Sequence, residues 1–222
     1  MNKILLAVGL SAFLMAGLLH AQDIQKAVPK ADGIYLGVGG GVTFNFAFLS
    51  VGNYQDETSV YTSDSLGDVD GGYLVYAGYQ FNKIIAVEAA YTDYGSFSDT
   101  LTDSLGRVTT FTTDPQSFTV YANAGYTFAN GLRPFGQIGL GYMKVNGSNT
   151  TDKINIDDGV SMRLGLGLEY TPKALVGFGL RVAYIDEMTM DASYKSNDNG
   201  STTSTLMMNI NGMLYVGGQY KF

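Results

Sequence analysis

The chain has 222 residues, 45% hydrophobic and only 15% charged, with 29 Gly, 16 Tyr and neither Cys nor Trp. A net charge of −7 argues against a nucleic-acid partner, and the lack of Cys leaves no disulfide to contribute stability. Abundant Gly, Tyr and Phe with little charge points to a single domain of strands rather than helices.

Residues 1–21 read as a secretory signal peptide. Lys3 supplies the positive start, residues 4–19 an apolar run, and Leu19-His20-Ala21 a cleavage site ahead of Gln22. The run is short of the ~20 apolar residues that a spanning helix needs. Cleavage removes His20, the sole His, so the mature chain carries neither His nor Cys. It also removes Lys3, which takes the net charge to −8 from the −7 of the full chain. Residues 22–32, polar and containing Pro29, form a short lead-in.

From residue 33 onward the hydrophobicity alternates with a period of two. The pattern predicts eight strands at 33–46, 71–81, 84–94, 116–128, 134–145, 159–170, 174–188 and 206–222. The last is the longest signal. Met208, Ile210, Gly212, Leu214, Val216, Gly218, Tyr220 and Phe222 share one face, while Asn209, Asn211, Met213, Tyr215, Gly217, Gln219 and Lys221 share the other. Average strands run ~5–6 residues, so this one suits a membrane better than a soluble core. Asn82-Lys83, Asn130-Gly131 and Thr171-Pro172-Lys173 mark three short turns. Four long connections, at 49–70, 96–115, 146–158 and 191–204, are rich in Ser, Thr, Asn, Asp and Gly.

Such strands fit either a soluble sandwich or a membrane barrel. A sandwich needs a charged outer face opposite its apolar core, but here the second face is mostly Gly, Tyr, Thr, Asn and Gln. That composition suits the polar interior of a small barrel whose apolar face meets lipid. Lipid cannot satisfy an open sheet edge, so the sheet must close. The expected fold is all-β, an eight-stranded antiparallel up-and-down transmembrane barrel over 33–222.

The signal peptide, the eight alternating strands and the terminal Tyr220-Lys221-Phe222 together resemble the OmpA/OmpX-type small outer-membrane barrels. The resemblance implies residence in a Gram-negative outer membrane, contact with its lipid and lipopolysaccharide, and a monomeric state. Both termini and the short turns then face the periplasm, making 22–32 a periplasmic lead-in. It also implies that Phe222 and Tyr220 are part of a signal read by the barrel-assembly machinery. The sequence has no counterpart of OmpA's peptidoglycan-binding domain after Phe222, so no cell-wall tether is expected.

Outward aromatics sort into two belts. Tyr79, Phe81, Tyr126, Phe128, Tyr170, Tyr220 and Phe222 belong at the turn-side rim, and Tyr91, Tyr142 and Tyr184 towards the outer rim. Inward charges are expected at Glu88, Arg163, Glu169, Arg181 and Lys221, joined by the amides Asn123 and Gln137. Glu88 is the expected acid between Arg163 and Arg181, with Glu169 and Lys221 paired nearer the turns. Buried charges demand partners, so this network serves either as a structural plug or as a gate across a narrow pore. Basic residues gather at the turn side as Lys83, Arg133, Lys173 and Lys221, whereas the long connections carry most of the acids.

Small barrels with enzymatic activity resemble one another in using a His, and a mature chain without His or Cys lacks a Ser-His-acid or thiolate mechanism. No enzyme, cofactor or metal site is expected. The sequence points to envelope structure or surface contact with a host or environmental molecule through the acidic loops. The alternatives are a narrow passive channel for ions or very small solutes and, behind it, a carrier of a small apolar ligand.

Overall fold

The computed structural model describes residues 32–49, 69–102, 108–149, 158–175, 177–198 and 201–222. Nine strands account for nearly all of them: β1 Gly33–Leu49, β2 Val69–Gln80, β3 Ile85–Asp93, β4 Phe97–Thr102, β5 Val108–Gly125, β6 Leu132–Asn149, β7 Gly159–Tyr170, β8 Phe178–Asp198 and β9 Ser201–Lys221. Each pairs antiparallel with its sequence neighbour, except that β3 and β4 both pair with β5. β1 pairs with β9, which closes the ring. The nine strands therefore build eight staves, with β3 and β4 as two halves of the third.

Following hydrogen-bonded partners once round the ring starts at Gly37 and passes Tyr76, Ala90, Thr119, Gly141, Ser161, Thr189 and Asn209. It returns to β1 at Ala47, ten residues beyond the start. A shear of ten on eight staves tilts the strands by about 40° and leaves an interior just wide enough for side chains.

The third stave breaks at Tyr94, Gly95 and Ser96. Gly95 adopts φ +85°, a conformation open to Gly at little cost, and its N–H donates to Asp93 Oδ1 at 3.0 Å. The break shifts the alternation, so that Tyr94 and Phe97 are both buried. Tyr94 N still donates to Pro115 O at 3.0 Å, which holds the seam together.

Two of the short turns are tied by their own Asn side chains, as turn chemistry anticipates. Asn82 Oδ1 accepts from the N–H of Ile84 (2.7 Å) and Ile85 (3.0 Å), and Asn130 Oδ1 from that of Leu132 (3.1 Å). The long connections differ from expectation. Most of 96–115 is strand, as are 191–198 and 201–204, and β6 continues to Asn149. Polar composition masked these extensions: a strand leaving the membrane has no apolar face to alternate, yet its hydrogen-bond ladder continues. Residues 1–31, with the expected signal peptide and most of the lead-in, lie outside the described residues, as do 50–68, 103–107, 150–157 and 199–200.

Burial is inverted relative to a soluble protein. Leu166, Leu140 and Val216 are more than 60% exposed, whereas Arg163, Arg181 and Glu187 are 0% exposed. That is the arrangement a hydrocarbon solvent selects. All the expected belt residues lie on the outer face. On the turn side the rings stack edge-to-face, as Tyr79 on Phe81 (5.0 Å), Tyr126 on Phe128 (5.1 Å), and Phe178 and Phe222 on Tyr220 (5.1 Å each). Tyr184 OH donates to Asp186 Oδ1 at 2.7 Å on the outer side.

Candidate functional site

The lumen is filled by large side chains set against glycines. A Cβ on Gly37 would run into the ring of Tyr76, and one on Gly78 would sit 2.6 Å from the Tyr35 hydroxyl. These two tyrosines cross the lumen because the facing positions on neighbouring staves carry no side chain.

Register puts charges of opposite sign face to face on adjacent strands. Arg181 lies opposite Glu169, Arg163 opposite Glu187, and Arg133 opposite Glu169. Nearer the turns, these residues assemble a four-membered cluster around Arg181. Its Nη1 and Nη2 donate to Glu88 Oε2 and Oε1 at 2.8 and 2.9 Å, a bidentate geometry suited to guanidinium and carboxylate. Its Nε donates to Glu169 Oε1 at 2.9 Å, and Nη2 reaches the same oxygen. Arg133 Nη1 donates to Glu169 Oε2 at 3.1 Å.

Neutral groups complete the cluster. Tyr35 OH and Asn123 Nδ2 donate to Glu88 Oε1 at 2.5 and 2.6 Å. The Arg181 guanidinium lies 4.3 Å from the Tyr76 ring centroid and 5.0 Å from that of Phe135, close enough for cation–π attraction in a desolvated site. Lys221 Nζ closes the turn-side end by donating to Gln80 Oε1 at 2.5 Å.

A second, smaller cluster lies nearer the loops. Arg163 Nε donates to Glu187 Oε1 at 2.5 Å and Nη2 to Thr92 Oγ1 at 2.6 Å. Thr119 Oγ1 adds a second bond to the Glu187 carboxylate at 2.7 Å, and the guanidinium sits over the Tyr121 ring at 4.9 Å. Beyond it, Asn45 Nδ2 bridges Asn209 Oδ1 (3.0 Å) and Asn211 Oδ1 (2.7 Å).

Among the described residues, the fully buried charges are three acids (Glu88, Glu169, Glu187) and three bases (Arg133, Arg163, Arg181). The layers balance, and each ion pair bridges two or more staves. Chemically this is a set of fixed cross-braces. The described residues contain no group of three His, Cys, Asp or Glu that could hold a metal.

Glu88, Arg163, Glu169, Arg181, Asn123 and Gln137 all lie in the interior as expected, with Lys221 at its turn-side mouth. The pairing differs. Glu88 binds Arg181 alone of the two arginines, Arg163 takes Glu187, and Glu169 takes Arg181 and Arg133 while Lys221 turns to Gln80. Glu187 and Arg133 were missed as interior residues. Strand parity held the signal, since Glu187 follows Arg181 by six positions and Arg133 precedes Gln137 by four. Proximity to a turn and to a loop obscured it.

Residues 10–222 match the family described as "Outer membrane protein beta-barrel domain". Among solved structures, the outer-membrane protein OprG from Pseudomonas aeruginosa superposes with a TM-score of 0.59 at 13% identity, covering 87% of this chain and 99% of that one. AlkL, solved in lipid bilayers, gives 0.52 at 13% identity over 92% and 98%, and Neisserial surface protein A gives 0.50 at 16% over 87% and 99%. These likenesses concern the fold. A search of curated proteins found no match.

Proposed function

Because the chain belongs to the outer-membrane protein β-barrel family, we propose that it is a non-enzymatic barrel with a sealed lumen, presenting its loop side to the surroundings for envelope structure or surface contact. One observation carries this reading: the Arg181 cluster spans the interior with both carboxylates and both guanidiniums engaged. An ion crossing the barrel would have to displace a bidentate, buried pair. Acids such as Asp56, Glu57, Asp64, Asp68, Asp103, Asp152 and Asp157 in the connections favour a cationic partner, or one bridged by divalent ions, as lipopolysaccharide phosphates would be.

Trimming residues 50–68 and 150–157 tests the surface role. Cells carrying the trimmed barrel should lose attachment to a polylysine-coated surface while keeping wild-type amounts of folded barrel. Unchanged attachment would remove the loops from the account.

The narrow channel is kept as a second reading by the upper pair alone. A single ion pair, Arg163–Glu187, braces this layer and leaves Glu187 Oε2 without a partner, whereas three ion pairs brace the lower one. In that reading, neutralising Arg163 changes the conductance of a purified barrel.

The reading also includes a role for the last strand in assembly. Phe222 N donates to Ile34 O at 2.9 Å, and its ring stacks on Tyr220. F222A is expected to lower the amount of barrel in the outer membrane several-fold, measured by heat-modifiable migration of membrane fractions. The same variant should refold in detergent as well as wild type. Equal loss in both settings would assign Phe222 to stability rather than to recognition by the assembly machinery.

A further inference from the structure

The methionines gather on one side of the barrel. Two of the nine fall in residues 1–21, and the other seven lie between 143 and 213. All seven stand on β6–β9, and β1–β5 carry none. Inside the lumen, Met143 and Met213 are 0% exposed, and Asn211 Nδ2 donates to the Met143 sulfur at 3.1 Å. Met162 and Met188 face the other way, towards lipid, since their chain neighbours Ser161, Arg163, Glu187 and Thr189 are buried in the interior. The two are direct cross-strand partners, at the centre of a row that runs Leu140, Met162, Met188 and Ile210 from β6 to β9. Both are partly exposed.

One rung nearer the turns, the same face carries a charge. Asp186 lies opposite Leu164 on β7 and Gly212 on β9. It points outward between Ile185 and Glu187, both 0% exposed, and accepts a hydrogen bond from Tyr184 OH at 2.7 Å. The pair folds over β9, because a Cβ on Gly212 would sit 3.0 Å from the Asp186 Oδ1 and from the Tyr184 hydroxyl. A carboxylate on the lipid face is tolerated near the interface, where water and headgroups solvate it. Water therefore reaches Asp186 on this side, and Met162 and Met188, one rung nearer the loops, lie within its range.

We propose that the Met162–Met188 pair is an oxidation site that consumes hydroperoxides arriving from the loop side. The chain has no Cys, which leaves the thioethers as its readiest two-electron reductants. A sulfur lone pair attacks the terminal oxygen of the hydroperoxide ROOH, and the O–O bond breaks as the sulfur–oxygen bond forms. The departing RO group takes the hydroxyl proton and leaves as ROH. Sulfur is oxidised by two electrons, the peroxide is reduced by two, and each thioether consumes one peroxide. The polar sulfoxide is solvated at the rung beside Asp186, so the fold survives the reaction. The lumen methionines take no part: they have no exposed surface, and Asn211 already occupies the Met143 sulfur. The site lies on the outer wall and is independent of whether the lumen conducts.

Hydrogen peroxide added to the folded barrel in lipid nanodiscs, followed by quenching, digestion and peptide mass spectrometry, tests the proposal. Met162 and Met188 should each gain one oxygen several-fold faster than Met143 and Met213, and unfolding in urea should abolish the difference. M162L/M188L, which conserves side-chain volume, should consume less peroxide per folded barrel than wild type. D186L should slow oxidation of the outer pair, because the carboxylate that draws water to this rung is gone. Equal rates for all four methionines in the folded barrel, or an outer pair that stays unoxidised, overturns the proposal.

Discussion

Replacing Arg181 with Ala is expected to destabilise the folded barrel by about 3–5 kcal/mol, the range for removing one partner of a buried ion pair. The reason is what remains. Glu88 and Glu169 lie 0% and 6% exposed at their side chains, and both direct oxygens at this guanidinium. Arg133 still serves Glu169 through Nη1, and Tyr35 and Asn123 still serve Glu88, yet the central positive charge between the two acids is gone. Urea unfolding in lipid vesicles measures the loss. Adding E88Q to R181A should recover part of it, because the pair is non-additive by construction. A single R181A variant as stable as wild type would show that the cluster does not brace the staves.

The second large effect is expected at the seam that closes the ring. A Cβ on Gly41 would run into the carbonyl oxygen of Leu214 and lie 2.6 Å from Tyr215 Cα, both backbone atoms of β9. No rotamer change relieves that, so β1 and β9 would have to separate. G41A should reach or exceed the upper end of the ~1–3 kcal/mol typical of overpacking, with a lower yield of heat-modifiable barrel. Gly218 supplies the control on the same seam: nothing lies within 4 Å of its Cβ position, so G218A should fold like wild type. Equal behaviour of the two variants would contradict the described packing of β1 on β9.

Much of this barrel was legible in the sequence because lipid imposes a strict code. An apolar outer face alternates with a polar inner one, so Leu164, Leu166 and Leu168 against Arg163, Gly165, Gly167 and Glu169 announce both a strand and its orientation. The code fades where the solvent changes. Once staves leave the membrane, residues such as Ser193 and Thr203 pair as strand without any apolar alternation to show it. The interior residues were readable from parity, but their partners were not. Which acid meets which arginine depends on shear: Glu88 is four staves from Arg181 in either direction round the ring, yet the two meet across the lumen. The break at Gly95 also escaped, since its cue is one glycine in a polar stretch.

The most direct measurement is the single-channel conductance of the purified, refolded barrel in a planar bilayer, after its fold has been verified by the faster migration of the unheated form. The account predicts a silent bilayer for wild type, because the Arg181 layer closes the lumen. Discrete, reproducible conductance steps that shift when Arg163 is neutralised would contradict it and make the protein a narrow channel.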